Sequence, residues 1–213
     1  MSLSEQAQKI LQVLEREHPE AECALVYNNP WQLLVATILS AQCTDKRVNI
    51  VTKNLFEKLP EPEQLAACPQ EQVEELIRST GFFRNKAKNL IACAATVLAQ
   101  HSGQVPNTLE ELVALPGVGR KTANVVLGNA FQVPGMVVDT HVKRLARRFG
   151  WTKSKDPVRI EQDLSTILSR ERWTQAGHTL IAHGRQYCKA PTPLCSQCPI
   201  LDICPRIGVD RSR

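Results

Sequence analysis

Apolar residues recur at helical spacing along almost the whole chain. Ile10, Leu11, Val13 and Leu14 give a first amphipathic stripe that ends at His18-Pro19. Trp31 to Ala41 (WQLLVATILSA) is apolar nearly all round, which predicts a buried central helix. Asp45 is placed to cap a helix over 46–59, stopped by Pro60. Short helices are expected at 63–67 and 70–78, and a long one over 85–100 (NKAKNLIACAATVLAQ). Asn107 is expected to cap a helix reaching Leu115, and a Pro-Gly-Val-Gly turn then leads into a helix over 121–131. Beyond Pro134-Gly135 the pattern predicts helices over 140–149, 157–169 and 173–186. The Val-rich piece 133–138 is too short and isolated to make a sheet. The expected fold is therefore all-α, with two helical domains and a seam at Pro134-Gly135.

Charge sharpens that seam. The 213 residues carry 26 Lys and Arg against 21 Asp and Glu, a net charge of +5. Residues 1–133 hold 12 basic against 14 acidic side chains, and residues 134–213 hold 14 against 7. A basic C-terminal third points to a polyanion, with a solvated basic face as the plain alternative. At 43% hydrophobic the chain can bury a core and is no disordered tail. It has no apolar run long enough to span a membrane and no basic, apolar leader, so a soluble, cytoplasmic protein is expected.

Of eight cysteines, Cys23, Cys43, Cys68 and Cys93 stand apart among apolar neighbours and read as small buried hydrophobes. Cys188, Cys195, Cys198 and Cys204 crowd into 17 residues. Thiolates at that density mean metal or cluster. One Cys-x2-Cys flanked by spacings of six and five fits neither paired zinc knuckles nor the bacterial ferredoxin run, and spacing alone leaves zinc and iron–sulfur open.

The most informative stretch is Leu115-Pro116-Gly117-Val118-Gly119-Arg120-Lys121-Thr122-Ala123. Glycines at 117 and 119 permit a tight turn between helices and leave the backbone open to close approach. Such a turn is expected to aim the amides of Val118, Gly119 and Arg120 at an anion, where the helix dipole helps, and a DNA phosphate fits.

These residues carry a resemblance. LPGVGRKTA resembles the helix-hairpin-helix signature of the endonuclease III family of DNA glycosylases, and Val138-Asp139-Thr140-His141 resembles its VDTH segment. Cys188-x6-Cys195-x2-Cys198-x5-Cys204 is similar to its iron–sulfur loop, and Ser40-Ala41-Gln42 with Thr44-Asp45 to its SAQ-x-TD element. The match runs from about residue 20 to 205 in the same order. It implies a six-helix domain over 22–133 that carries the hairpin, and a second domain from 1–21 plus 134–213 that carries a [4Fe–4S] cluster on the four cysteines. It also implies a monomeric, bifunctional base excision repair enzyme that removes oxidised pyrimidines from double-stranded DNA and nicks 3′ to the abasic site. Lys121 would displace the base and form a Schiff base with the sugar.

The chemistry can be checked. A lysine at its ordinary pKa of ~10.4 is mostly protonated and needs desolvation, a cationic neighbour or a base to attack. Asp139, 18 residues on, could take that proton or stabilise positive charge on the sugar, and could equally cap the helix that begins at Thr140. Reaching the sugar means extruding a nucleotide. By resemblance Gln42 would enter the vacated stack, and Phe82 would wedge beside the opposite base. His141, Arg144 and Lys189 would join Arg84 and the hairpin residues Gly117 to Arg120 on the DNA. Two basic clusters could track the backbone, Arg78, Arg84, Lys86 and Lys88 in one, Lys143 to Lys155 in the other. His178 and His183 read as structural. Two rivals stand: a monofunctional adenine-mismatch glycosylase, which lacks such a lysine and carries a further C-terminal domain, and a non-catalytic iron–sulfur DNA-binding protein. Lys121, with a chain that stops nine residues after Cys204, favours the bifunctional enzyme.

Overall fold

The computed structural model describes residues 2–213. Among them it contains eleven α-helices and no strand: α1 (Leu3–Glu17), α2 (Pro30–Leu39), α3 (Asp45–Lys58), α4 (Pro62–Ala67), α5 (Gln70–Ile77), α6 (Phe83–His101), α7 (Leu109–Ala114), α8 (Arg120–Ala130), α9 (Thr140–Arg148), α10 (Pro157–Ile167) and α11 (Trp173–Gln186). No described helix is long and apolar enough to cross a membrane. Contacts divide the chain into two units, Cys23–Val133 and Met1–Glu22 with Pro134–Arg213.

The 23–133 unit is built round α2. Its start is fixed twice, by Pro30 at the first helical position and by the Asn29 side chain, which accepts from Gln32 N. Every residue from Trp31 to Leu39 is buried. Leu55, Leu65, Ile77, Leu90, Val97 and Leu112 from the other helices close over it. The unit holds seven α-helices, α2 to α8, with α4 and α5 separated at Pro69, where the sequence pattern divides them. Two caps also move by one residue. Thr44, not Asp45, accepts from Arg47 N at the start of α3, and Thr108, not Asn107, accepts from Glu111 N at the start of α7.

The other unit packs α1, α9, α10 and α11 round Ile10, Leu14, Leu145, Phe149, Ile160 and Leu180. α9 and α11 lie so close that a Cβ on Gly184 would stand 2.9 Å from His141 Cβ. Beyond Gln186 the only regular element is a short 3₁₀ turn, Cys195–Gln197.

Candidate functional site

The turn from α7 into α8 needs glycine for two independent reasons at one position. Gly117 has φ +77°, and a Cβ there would lie 2.8 Å from Asn89 Cβ. One expectation is corrected: the Val118 amide does not face outward, because it donates to Leu115 O at 3.1 Å, and the Val118 side chain is buried. Val118 therefore closes the turn from inside. Gly119 is the N-cap of α8, an eleven-residue helix, and as a glycine it has no side chain to cap the helix start. Gly117, Gly119, Arg120 and Lys121 are all exposed. Lys121 is the second residue of α8, next to that glycine start.

α9 begins in the opposite way. Asp139 is its N-cap, and Oδ1 accepts from both His141 N and Val142 N at 2.8 Å. The capping role foreseen as an alternative holds, and neither bond uses Oδ2. His141 is half-buried, with Nδ1 3.1 Å from Arg144 Nη2. Lys121 stands in the 23–133 unit and Asp139 in the other.

Gln42 and Phe82 share an unusual backbone. Both are exposed, and both sit in the left-handed region, with φ 53° and 49°. Non-glycine residues held there cost energy and concentrate at functional sites. Phe82, 64% exposed, follows Gly81, itself at φ 70°. Arg84, just beyond, is exposed, with Nε 3.9 Å from Glu74 Oε2 and its guanidinium 5.2 Å from the Phe83 ring centre.

All four clustered cysteines line one pocket with Phe149, Leu194, Leu201 and Val209. Among the described residues no three His, Cys, Asp or Glu side chains are drawn in round a single ion. The pocket's wall is held by two arginines of α9. Arg148 Nη1 donates to Cys188 Sγ at 3.2 Å and to Lys189 O at 2.9 Å, and its Nη2 donates to Pro191 O at 3.0 Å. Arg144 donates from Nε to Cys188 O at 2.9 Å and from Nη2 to Gly184 O at 3.0 Å. Arg144 Nε and Nη2 are thus held by the protein's own carbonyls, and Nη1, 3.4 Å from Thr140 O, lies at the surface. Burial pushes the Cys198 thiol up to about 11. Lys189 is exposed.

Sequence reasoning placed Lys86 among surface charges, and the structure buries it at 6% exposure. Nζ donates to Leu39 O at 2.8 Å and Thr80 O at 2.9 Å. The signal was there, since Lys86 shares the α6 stripe of Leu90, Cys93 and Val97. His183 is fully buried, structural as expected, with Nδ1 3.3 Å from His18 Nε2 and Nε2 3.6 Å from Cys198 Sγ. Burial first, then His18, pulls it down to about 4.

Residues 35–170 match the HhH-GPD superfamily of base excision DNA repair proteins. The chain is 50% identical to endonuclease III of Synechocystis sp. over 96% of its own length and 94% of the relative's. It is 49% identical to endonuclease III of Bacillus subtilis over 92% of its length and 89% of the relative's. Among solved structures, a trapped endonuclease III–DNA covalent intermediate is similar at TM-score 0.91 and 45% identity, covering 96% of each chain.

Proposed function

The chain belongs to the endonuclease III family of HhH-GPD base excision repair proteins, and from that membership we propose that it is a bifunctional DNA glycosylase and abasic-site lyase that acts on damaged pyrimidines in double-stranded DNA. It works as a monomer on cytoplasmic DNA. The observation that carries the reading is Lys121, an exposed lysine at the second residue of α8, just after the Gly117–Gly119 turn.

The turn and the first amides of α8, with Arg120 beside them, hold a DNA phosphate, which positions the strand without reading its sequence. The Lys121 amine attacks C1′ of the extruded nucleotide. The bond to the base breaks and its electron pair leaves with the base, which takes up a proton. The amine and the opened sugar form a Schiff base. Loss of a C2′ proton then expels the 3′ phosphate and nicks the strand. Asp139, held by two helix amides, offers Oδ2 to accept the amine's proton or to stabilise positive charge on the sugar. Gln42 and Phe82, on strained and exposed turns, fill the vacated stack, and Arg84, His141 and Lys189 contact the backbone. Arg144, which also holds the cysteine loop through Cys188 O, joins them on the DNA.

Cys188, Cys195, Cys198 and Cys204 would hold a [4Fe–4S] cluster, and the donor set fits. Four thiols line one pocket together with Phe149, Leu194, Leu201 and Val209, an all-sulfur donor set of the kind that holds such a cluster. Bound there, the cluster ties down the C-terminal loop and presents Lys189 and Arg185.

Borohydride trapping on abasic DNA tests the reading. The wild-type protein is expected to give a covalent adduct that Lys121→Ala loses, and wild-type protein without an adduct would refute the lyase. The same preparation should contain iron and acid-labile sulfide, and zinc alone would refute the cluster.

A further inference from the structure

The two residues assigned to the emptied stack sit on turns 40 residues apart in sequence, and one buried side chain reaches behind both. Lys86 Nζ donates to Leu39 O, three residues before Gln42, and to Thr80 O, two residues before Phe82. Leu39 ends α2, so its carbonyl is one that the helix itself leaves without a partner. Thr80 is likewise buried, with Oγ1 donating to Ile77 O at 2.8 Å, so the segment before Gly81 is anchored inside. Beyond each anchor the chain turns at once into the left-handed region, at Gln42 and at Gly81-Phe82. Strain of that kind persists only where surrounding structure over-determines it. A buried amine is costly in itself, and burial draws its pKa down. A residue that served only to fill volume would be apolar.

We infer that Lys86 is a positioning residue for nucleotide extrusion: its amine joins the Gln42 and Phe82 turns into one rigid wedge, so both sides of the vacated stack are filled together. The inference rests on the assignment of Gln42 and Phe82 given above. Lys86 touches neither DNA nor reacting atoms and acts through the two carbonyls.

Lys86→Met keeps the apolar stem and removes the donors, and Lys86→Arg restores donors. Single-turnover excision of an oxidised pyrimidine from duplex DNA is expected to fall about 100-fold in Lys86→Met, the scale of a small misplacement in a positioned site. It should recover partly in Lys86→Arg. A 2-aminopurine opposite the lesion should lose its extrusion signal in step. Nicking at an abasic site in single-stranded DNA, which has no stack to refill, should change by about twofold or less. In a background with Gln42→Ala and Phe82→Ala, Lys86→Met should add no more than about twofold. Equal losses on duplex and single strand, an undiminished loss in the double-alanine background, or unchanged duplex excision would each overturn the inference. Should Lys86→Met not fold, Lys86→Gln carries the same comparison. A double-alanine protein that works like wild type would sink the wedge assignment and the role of Lys86 with it, an outcome distinct from a failed trapping experiment.

Discussion

The 23–133 unit and the C-terminal part of the other unit are ordered by different forces. In the first, α2 is buried along its length and helices pack on it from several sides. In the second, the chain after Gln186 has almost no regular structure, and two arginines from α9 hold its carbonyls and one of its thiols. Apolar burial is non-directional and tolerates small shifts. An arginine fork is directional and fixes individual atoms. The contrast follows the work proposed for each region: one would supply a platform for the hairpin turn and the wedge residues, the other places four thiols with no helix to space them.

Three substitutions probe that contrast. Leu34→Ala, at a position with no exposure, should cost about 2–5 kcal/mol in thermal or denaturant unfolding. Arg148→Lys keeps the charge and loses the fork, leaving the Lys189 and Pro191 carbonyls short of a donor. We expect about 1–3 kcal/mol and, more tellingly, faster proteolysis after residue 186 while the 23–133 unit stays resistant. If Arg148→Lys instead loosens both units alike, the division of labour is wrong. The smallest effect is a pH dependence at His178, whose pKa is lowered by burial against a weaker opposing pull from Glu22. The folded state prefers the neutral ring, so its contribution is complete above about pH 6.5 and is lost as pH falls below that value toward the folded pKa. His178→Gln should flatten the stability profile in that window only, and a slope equal to wild type would count against burial as the cause.

Much of this was legible in the residues because prolines and glycines punctuate the helices. Pro19, Pro60, Pro134-Gly135 and the 116–119 turn each mark a boundary that the structure keeps. The misses share one cause, since they concern what a polar group bonds to. Thr44 and Thr108 beat their acidic and amide neighbours as caps because the hydroxyl one residue away reaches the third amide. Val118 looked available until its amide closed the turn on Leu115. Lys86 looked like a phosphate ligand because charge invites that reading, and a carbonyl brought by a distant segment leaves no mark on the helix that bonds it. Arg148 follows Leu145 by one turn, which places it on the buried stripe of α9. That spacing could have flagged it, but not its partners.

The start of α9 has one further consequence. In isolation the two oxygens of a carboxylate are equivalent, and the fold breaks that symmetry at Asp139 by giving Oδ1 to two amides and leaving Oδ2 outside those bonds. In the proposed mechanism a proton taken up at Oδ2 therefore leaves both cap bonds on Oδ1 in place. Architecture and the proposed reactivity draw on separate atoms of one side chain, so Asp139→Asn with its carbonyl toward the amides is expected to keep the first and forfeit the second.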